Sequence, residues 1–307
     1  MHSSTRLILV CSACLTLMTG CSLTMPDPGR GAVPEYLRSQ SLYVLREAVS
    51  QETEWVKVHA AEGLLVNGYP EDVAASFEAD LASAEPPYRV GVLRVLAQTA
   101  GKDKKLRTTR IDQVLAIFND QNAGDRLHAL ETLAKLGYGQ RTDAVLEAAK
   151  PDAGRFQVYA RWIIANSGTP ADQASLAELV AGDDATLRTG AAYALRHRKA
   201  ISPAALSAVE AAGAAQQAEA PDDVYLQSAW FVHCPPDRKL AARSALLTFL
   251  DSDKKHERNE VCLGLGYAGG ARDVPILAKL LRDDPEADVR VYAAFALLRL
   301  ARRAEGK

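Results

Sequence analysis

The chain has 307 residues, of which 48% are hydrophobic and 6% aromatic. This apolar content supports a substantial core and excludes an intrinsically disordered chain. The formal net charge of −2 excludes the basic excess that is typical of nucleic-acid-binding proteins.

The first twenty residues have the pattern of an export signal. A short positive region, residues 1–6, precedes the apolar run Leu7–Met18, which is too short to span a bilayer. We therefore predict a cleaved signal peptide over residues 1–20. An ordinary secretory signal with an incidental Cys21 is the alternative.

The end of this signal, "LMTGCS", resembles the lipobox of bacterial lipoproteins, with Met18 where leucine is most usual. The resemblance implies cleavage after Gly20, a diacylglyceryl group on the sulfur of Cys21 and an N-acyl group on its amine. Several lipid chains anchor a protein stably, whereas one does not. We therefore expect a lipid-anchored protein of the bacterial cell envelope. Ser22 favours the outer membrane, on its periplasmic side.

The anchor is followed by a short tether and a first helix. Residues 21–33 contain the expected lipid site and a Pro- and Gly-containing linker, and residues 34–307 are predicted to form the folded region. The segment "PEYLRSQSLYVLREAV", which begins at Pro34, predicts a helix that caps the fold.

One phrase then recurs eight times, at intervals of 31 to 37 residues. A small residue stands three positions after its start, and leucine or a similar residue stands four positions later, so both lie on one helix face. A second amphipathic stretch follows seven of the copies. The pattern predicts eight A helices, seven B helices and the leading helix, stacked as repeats. The copies begin at Lys57, Arg89, Arg126, Gln157, Arg188, Tyr225, Arg258 and Arg290.

The segment "GGARDVPILAKLLRDDPEADVRVYAAFALLRL" (Gly269 to Leu300) resembles the HEAT-like repeats of about 31 residues in phycobilisome-lyase-type proteins. The resemblance extends from about residue 34 to the C-terminus. It implies an all-α fold, a right-handed α-solenoid of about eight helix-turn-helix repeats with an N-terminal capping helix. Because the matching residues are packing residues, it implies little about function.

Two copies share a His-x-x-Glu pair, His59 with Glu62 and His128 with Glu131. This spacing puts both side chains on one helix face, as in a metal or acid–base site. The other copies have Gly, Tyr, Gln or Glu in place of the histidine, and this variation favours the solvent-facing edge of helix A. We therefore predict no catalytic residue and no metal site, with a metal or acid–base role as the alternative.

The cysteines and tryptophans of the repeats are interpreted as packing residues. Cys262 falls in a core-facing column, and Cys234 is offset along its helix, so buried thiols are favoured over a disulfide or a metal site. The three tryptophans, Trp55, Trp162 and Trp230, have core-like spacing and are weak evidence for a sugar-binding platform.

The turns that lead from A to B helices are basic in two places, whereas turns into A helices are acidic. In a solenoid these turns lie on opposite edges. We predict a basic edge that binds an acidic partner or an anionic envelope polymer, with helix capping and solubility as the alternative. The edge comprises Lys102, Lys104, Lys105, Arg196, His197, Arg198 and Lys199.

The sequence contains no nucleophile elbow, P-loop or dinucleotide-binding fingerprint. It predicts a non-enzymatic scaffold at the cell envelope that binds an envelope protein in a groove lined by B helices. No cofactor other than the lipid, no nucleic acid and no small-molecule substrate are expected. The alternatives are a lyase-like or other enzyme-associated subunit and a purely structural envelope component.

The anchor is tested by mass spectrometry of the mature N-terminus. We expect the chain to begin at Cys21 and to carry the mass of a diacylglyceryl group and an amide-linked acyl chain. An unmodified Cys21, or cleavage at another residue, would contradict the prediction.

Overall fold

The computed structural model of the protein describes residues 33–71, 73–219 and 223–306. Within these ranges the chain is all-helical, with sixteen α-helices, two 3-10 turns and no strand. The predicted signal peptide, the lipid site at Cys21 and nearly all of the tether lie outside the described residues.

The α-helices are packed in neighbouring pairs, and the predicted all-α fold is confirmed. The even-numbered helices are the predicted A helices, the odd-numbered helices from α3 onward are the B helices, and α1 is the leading helix. Their bounds are α1 (Glu35–Gln51), α2 (Glu54–Val66), α3 (Val73–Asp80), α4 (Tyr88–Thr99), α5 (Lys104–Asn119), α6 (Arg126–Lys135), α7 (Asp143–Ala148), α8 (Phe156–Asn166), α9 (Pro170–Ala181), α10 (Ala185–Arg196), α11 (Pro203–Glu219), α12 (Val224–His233), α13 (Lys239–Leu247), α14 (Lys255–Ala268), α15 (Val274–Asp283) and α16 (Ala287–Ala304).

The two repeated columns of the sequence form the contact surfaces between helices. Every member of the small-residue column is buried, from Ala60 in α2 to Ala293 in α16. The leucine column is buried as well, except for Val232, which is half-buried. Small side chains let helix backbones approach closely, and the leucines fill the space between A and B helices.

The array of repeats closes into a ring. Each A helix contacts the next, and the last one, α16, also contacts α1 and α2. Side chains join the two ends: Arg38 forms an ion pair with Glu305, and Asn67 Nδ2 donates a hydrogen bond to the Phe295 carbonyl oxygen at 3.3 Å. The leading helix therefore packs beside α16 and α2 where the ring closes. The sequence predicts the stacking of helices but not this closure.

Gly63 lies where α1, α2 and α16 meet. A Cβ atom at this position would lie 3.3 Å from Leu45 Cδ2 and 3.5 Å from Phe295 Cβ. A side chain larger than that of Ala at this position would therefore meet both neighbouring helices.

The interior contains two cysteines that are free thiols, Cys234 and Cys262. Both are buried, and burial raises the pKa of each thiol.

In the three described ranges, no helix combines the length and the apolar character needed to cross a membrane.

The closing contact is tested with Gly63→Leu. Because the larger side chain meets both Leu45 and Phe295, we expect a loss of about 1–3 kcal/mol in the free energy of unfolding, measured in urea. Amide hydrogen exchange should become faster in α1 and in α16.

The matched control is Gly124→Leu, because a Cβ atom at Gly124 has no neighbour within 4 Å. This variant should differ from the wild type by no more than about 0.5 kcal/mol. Unchanged exchange in α16 of the Gly63→Leu variant would contradict the packing of α16 against α2.

Candidate functional site

The A helices surround a cavity of about 510 Å³ at the centre of the ring. All of its lining residues belong to A helices, apart from His197, which directly follows α10. The expected groove lined by B helices is therefore wrong for this cavity, because closure places the A helices on the inside. The charged and amide side chains of the wall are Glu62, Arg94, Gln98, Glu131, Lys135, Arg196, Asn259, Glu260 and Asp288.

Four members of the variable column of the repeats line this cavity, namely His59, His128, Glu260 and Tyr292. On α2 the inward residues include His59 and Glu62, and on α6 they include His128, Glu131 and Lys135. Spacings of three and four keep such residues on one helix face. The interpretation that the histidines face outer solvent is wrong, because both His59 and His128 line the cavity.

Arg94 and Glu62 form the first ion pair of the wall. Arg94 is 2% exposed, and its Nε and Nη2 atoms donate to the Glu62 carboxylate at 2.6 and 3.1 Å. Its Nη1 atom donates to Thr132 Oγ1 at 3.2 Å. Burial opposes the charge of Arg94, but the carboxylates of Glu62 and Glu131 raise its pKa. The guanidinium is therefore held in place by both neighbouring A helices.

Glu131 is the acceptor in a second cluster. Lys135 Nζ lies 2.8 Å from its carboxylate, and the Tyr193 hydroxyl donates to it at 2.5 Å. Burial opposes ionisation of Glu131, yet the charges of Lys135 and Arg94 lower its pKa to about 2. Glu131 is therefore ionised at neutral pH.

Arg196 and Glu260 form an ion pair that joins α10 to α14 past α12. Arg196 Nε and Nη2 donate to the two carboxylate oxygens at 2.7 and 3.1 Å, and the side chains are 1% and 3% exposed. The guanidinium also lies over the rings of Tyr193 and Tyr267, at 5.4 and 5.9 Å from their centroids. Burial opposes its charge, but Glu260 raises the Arg196 pKa.

The predicted basic edge is therefore only partly a surface. Arg196 and His197 line the cavity, because they lie three and four residues after the inward-facing Tyr193. Burial and nearby cations, first Arg196, hold the pKa of His197 well below its usual value. Arg198 donates to the Asn166 side chain and the Ala165 carbonyl oxygen. The exposed members of the set are Lys102, Lys104, Lys105 and Lys199.

His59 and Asp288 form a hydrogen-bonded pair where the ring closes. His59 Nδ1 lies 2.8 Å from Asp288 Oδ1, and Asn259 Nδ2 donates to Asp288 Oδ2 at 2.8 Å. This geometry fixes the orientation of the imidazole. In the described part of the chain, no Ser, Thr or Cys lines the cavity where the pair could activate it as a nucleophile.

Aromatic rings make up much of the remaining wall. Trp55 stacks with His128 at 5.8 Å between centroids, and Trp162 lies 5.3 Å from the His197 ring. Tyr225 stacks with His256 at 6.4 Å. Trp162 and Trp230 are buried in the core, as predicted, and Trp55 packs against it. Trp55 and Trp162 also line the cavity.

Several polar atoms of the cavity wall have no hydrogen-bond partner among the described residues. They are Gln98 Oε1, Arg196 Nη1, His197 Nε2 and Asn259 Oδ1. Arg196 is 2% exposed and Asn259 is 8% exposed. Unpaired buried groups of this kind destabilise a fold by about 1–3 kcal/mol each unless water or a ligand pairs with them.

A second cavity of about 510 Å³ adjoins the first and shares Glu131, Tyr193 and Tyr225 with it. Its wall includes Gly190, where a Cβ atom would lie 3.2 Å from Val158 Cγ2. Among the described residues, no group of three or more His, Cys, Asp or Glu side chains is arranged to hold a metal ion.

Comparisons with known proteins do not identify a family. The chain matches no protein-family profile and no curated protein sequence. Crystal structures of two engineered proteins from a structural genomics consortium are similar at low level. The first shares 15% sequence identity with this chain at a TM-score of 0.31, and the match covers 89% of this chain and 92% of the engineered chain. The second shares 17% sequence identity at a TM-score of 0.21, and the match covers 85% of this chain and 96% of the engineered chain.

The ion pair between α10 and α14 is tested with Arg196→Met. Because the variant leaves Glu260 buried without its partner, we expect a loss of about 3–5 kcal/mol in the free energy of unfolding. The double variant Arg196→Met/Glu260→Met removes both charges and should recover most of this loss. Equal destabilisation of the single and double variants in urea titrations would contradict the pairing.

Proposed function

We propose that the chain is a non-enzymatic binding protein of the bacterial cell envelope, and that it binds a small ligand in the cavity enclosed by the A helices. The observation that carries the proposal is a wall with unpaired buried hydrogen-bonding atoms, Arg196 Nη1 and Asn259 Oδ1 among them. The volume of the cavity lies within the range of about 300–1,000 Å³ that is usual for small-molecule sites. A folded protein is too large to enter it.

Binding is favoured over catalysis by the charge state of the wall. Glu131 has a pKa of about 2, so it is a poor proton donor or acceptor near neutral pH. Burial, together with nearby cations, keeps His197 neutral, which suits a hydrogen-bonding role. Among the described residues of the wall, the His59–Asp288 pair has no Ser, Thr or Cys beside it that it could activate.

The location in the cell envelope rests on the N-terminal sequence. The lipobox-like segment that ends at Cys21 supports export, lipid attachment and anchoring on the periplasmic side of the outer membrane. The lipid is the only covalent group that the proposal requires. The repeat pattern supports a HEAT-like ancestry for the folded region.

Ligand binding is tested by thermal unfolding of the full-length chain in a detergent without a sugar headgroup. The probes are neutral sugars, amino acids, dipeptides, amines and carboxylates, each at about 10 mM. At least one class should raise the melting temperature, because a ligand that binds only the folded state stabilises it by RT ln(1 + [L]/Kd).

Leu263→Trp fills part of the cavity and should abolish this increase. Leu106→Trp makes the same change on the exposed face of α5 and should preserve it. The proposal is wrong if no class stabilises the wild type, or if Leu263→Trp responds as the wild type does.

A protein-binding scaffold is the second candidate, favoured by an exposed aromatic pair on α1. Tyr36 and Tyr43 are 67% and 63% exposed and lie seven residues apart, so they share a helix face. Tyrosine is enriched in protein interfaces. The pair closely follows the expected tether, so a partner bound there would lie near the membrane.

Two surfaces are candidates for binding a partner, the tyrosine pair of α1 and the exposed lysines of the basic edge. Cross-linking followed by capture from envelope preparations distinguishes between them. Tyr36→Ser/Tyr43→Ser should lose a stoichiometric partner. Replacing Lys102, Lys104, Lys105 and Lys199 with Ser tests what remains of the basic edge. Recovery of the same partners with both variants would contradict both surfaces.

A further inference from the structure

The charged side chains of the cavity wall already have partners within the ring. The Arg94, Lys135 and Arg196 side chains lie 2.6–2.8 Å from their carboxylate partners. Asp288, the remaining carboxylate of the wall, is held by His59 and Asn259. A ligand with a net charge would enter without a free counter-charge, and an unpaired buried charge is strongly unfavourable. The wall therefore favours a neutral ligand.

The unpaired atoms of the wall require a ligand that both donates and accepts hydrogen bonds. Arg196 Nη1 can only donate, whereas Gln98 Oε1 and Asn259 Oδ1 can only accept. A hydroxyl group satisfies both kinds of partner because it carries one donor and two acceptor sites. A purely apolar ligand would leave these atoms unpaired, which is unfavourable in a buried site.

The aromatic rings of the wall favour a ligand that also has flat faces of C–H bonds. Trp55, Trp162, Tyr193, Tyr225 and Tyr292 come from five different A helices and surround the cavity. Aromatic faces carry partial negative charge and attract the weakly positive hydrogens of such C–H groups. A pyranose ring has hydroxyls around its edge and C–H groups on its faces.

We propose that the central cavity is a carbohydrate site that takes a neutral saccharide of one or two rings. This inference rests on the proposed function and specifies the ligand of the same cavity. The adjoining cavity, which shares Glu131, Tyr193 and Tyr225, provides space for a second ring. Gln98, Arg196 and Asn259 bind hydroxyl groups, and the aromatic wall packs against the ring faces.

The test is isothermal titration calorimetry on the full-length chain in a detergent without a sugar headgroup. The neutral probes are glucose, galactose, N-acetylglucosamine and maltose. Glucosamine and glucuronate are the charged controls, because each adds one charge to the same ring. We expect at least one neutral sugar to bind, and its charged counterparts to bind at least about tenfold more weakly, a difference of about 1.4 kcal/mol.

A matched pair of variants locates the binding. Gln98→Met removes the amide from the cavity wall and should weaken sugar binding by about three- to tenfold. Gln121→Met makes the same change on an exposed turn and should leave the affinity unchanged. Far-ultraviolet circular dichroism should show the same helix content for both variants.

The outcomes separate this inference from the proposed function. Stronger binding of glucosamine or glucuronate, or sugar binding that Gln98→Met does not weaken, would overturn the carbohydrate assignment. If only amino acids, dipeptides or amines bind, and Leu263→Trp blocks them, the ligand class is wrong while the binding function stands. If no probe of any class binds the folded chain, both proposals are wrong.

Discussion

Helix α16 packs between α14 and the first two helices, and this contact joins the end of the repeat array to its beginning. An open array of stacked helix pairs has two ends and a long exposed face. Closure removes both ends and converts the inner faces of the A helices into the wall of a cavity. Gly63 lies at this contact, and a Cβ atom there would touch Leu45 of α1 and Phe295 of α16.

Closure also explains why so many charged groups lie inside a protein of this size. Among the described residues, seven Asp, Glu, Lys or Arg side chains line the cavity. Six of them form three ion pairs, two of which join different helices. The Arg196–Glu260 pair connects helices that are not adjacent in the ring. Such pairs contribute little net stability compared with apolar packing, but removing one partner is strongly unfavourable. These pairs therefore hold the side chains of the interior in defined positions.

Much of the fold can be predicted from the sequence, because packing residues recur at fixed spacing. Ala60, Leu64 and their equivalents in the other copies indicate eight A helices, and the structure buries these positions with the exception of half-buried Val232. The candidate site could not be predicted in the same way. His59 and His128 occupy a column that varies from copy to copy, and variation is expected equally of an outer surface and of a cavity whose wall combines different side chains.

The sequence by itself determined the helical repeats, their order and the residues that pack between them, because helical periodicity is a local property of the chain. Only the tertiary structure decided which face of each A helix lies inside. That choice depends on the contact between residues such as Asn67 and Phe295, which are 228 positions apart. Closure of the ring also places Arg196 and His197 in the interior. In the sequence these residues directly precede Arg198 and Lys199, and this basic run indicates a surface. The curvature that brings distant helices together is a sum of small rotations between repeats, and no single repeat specifies it.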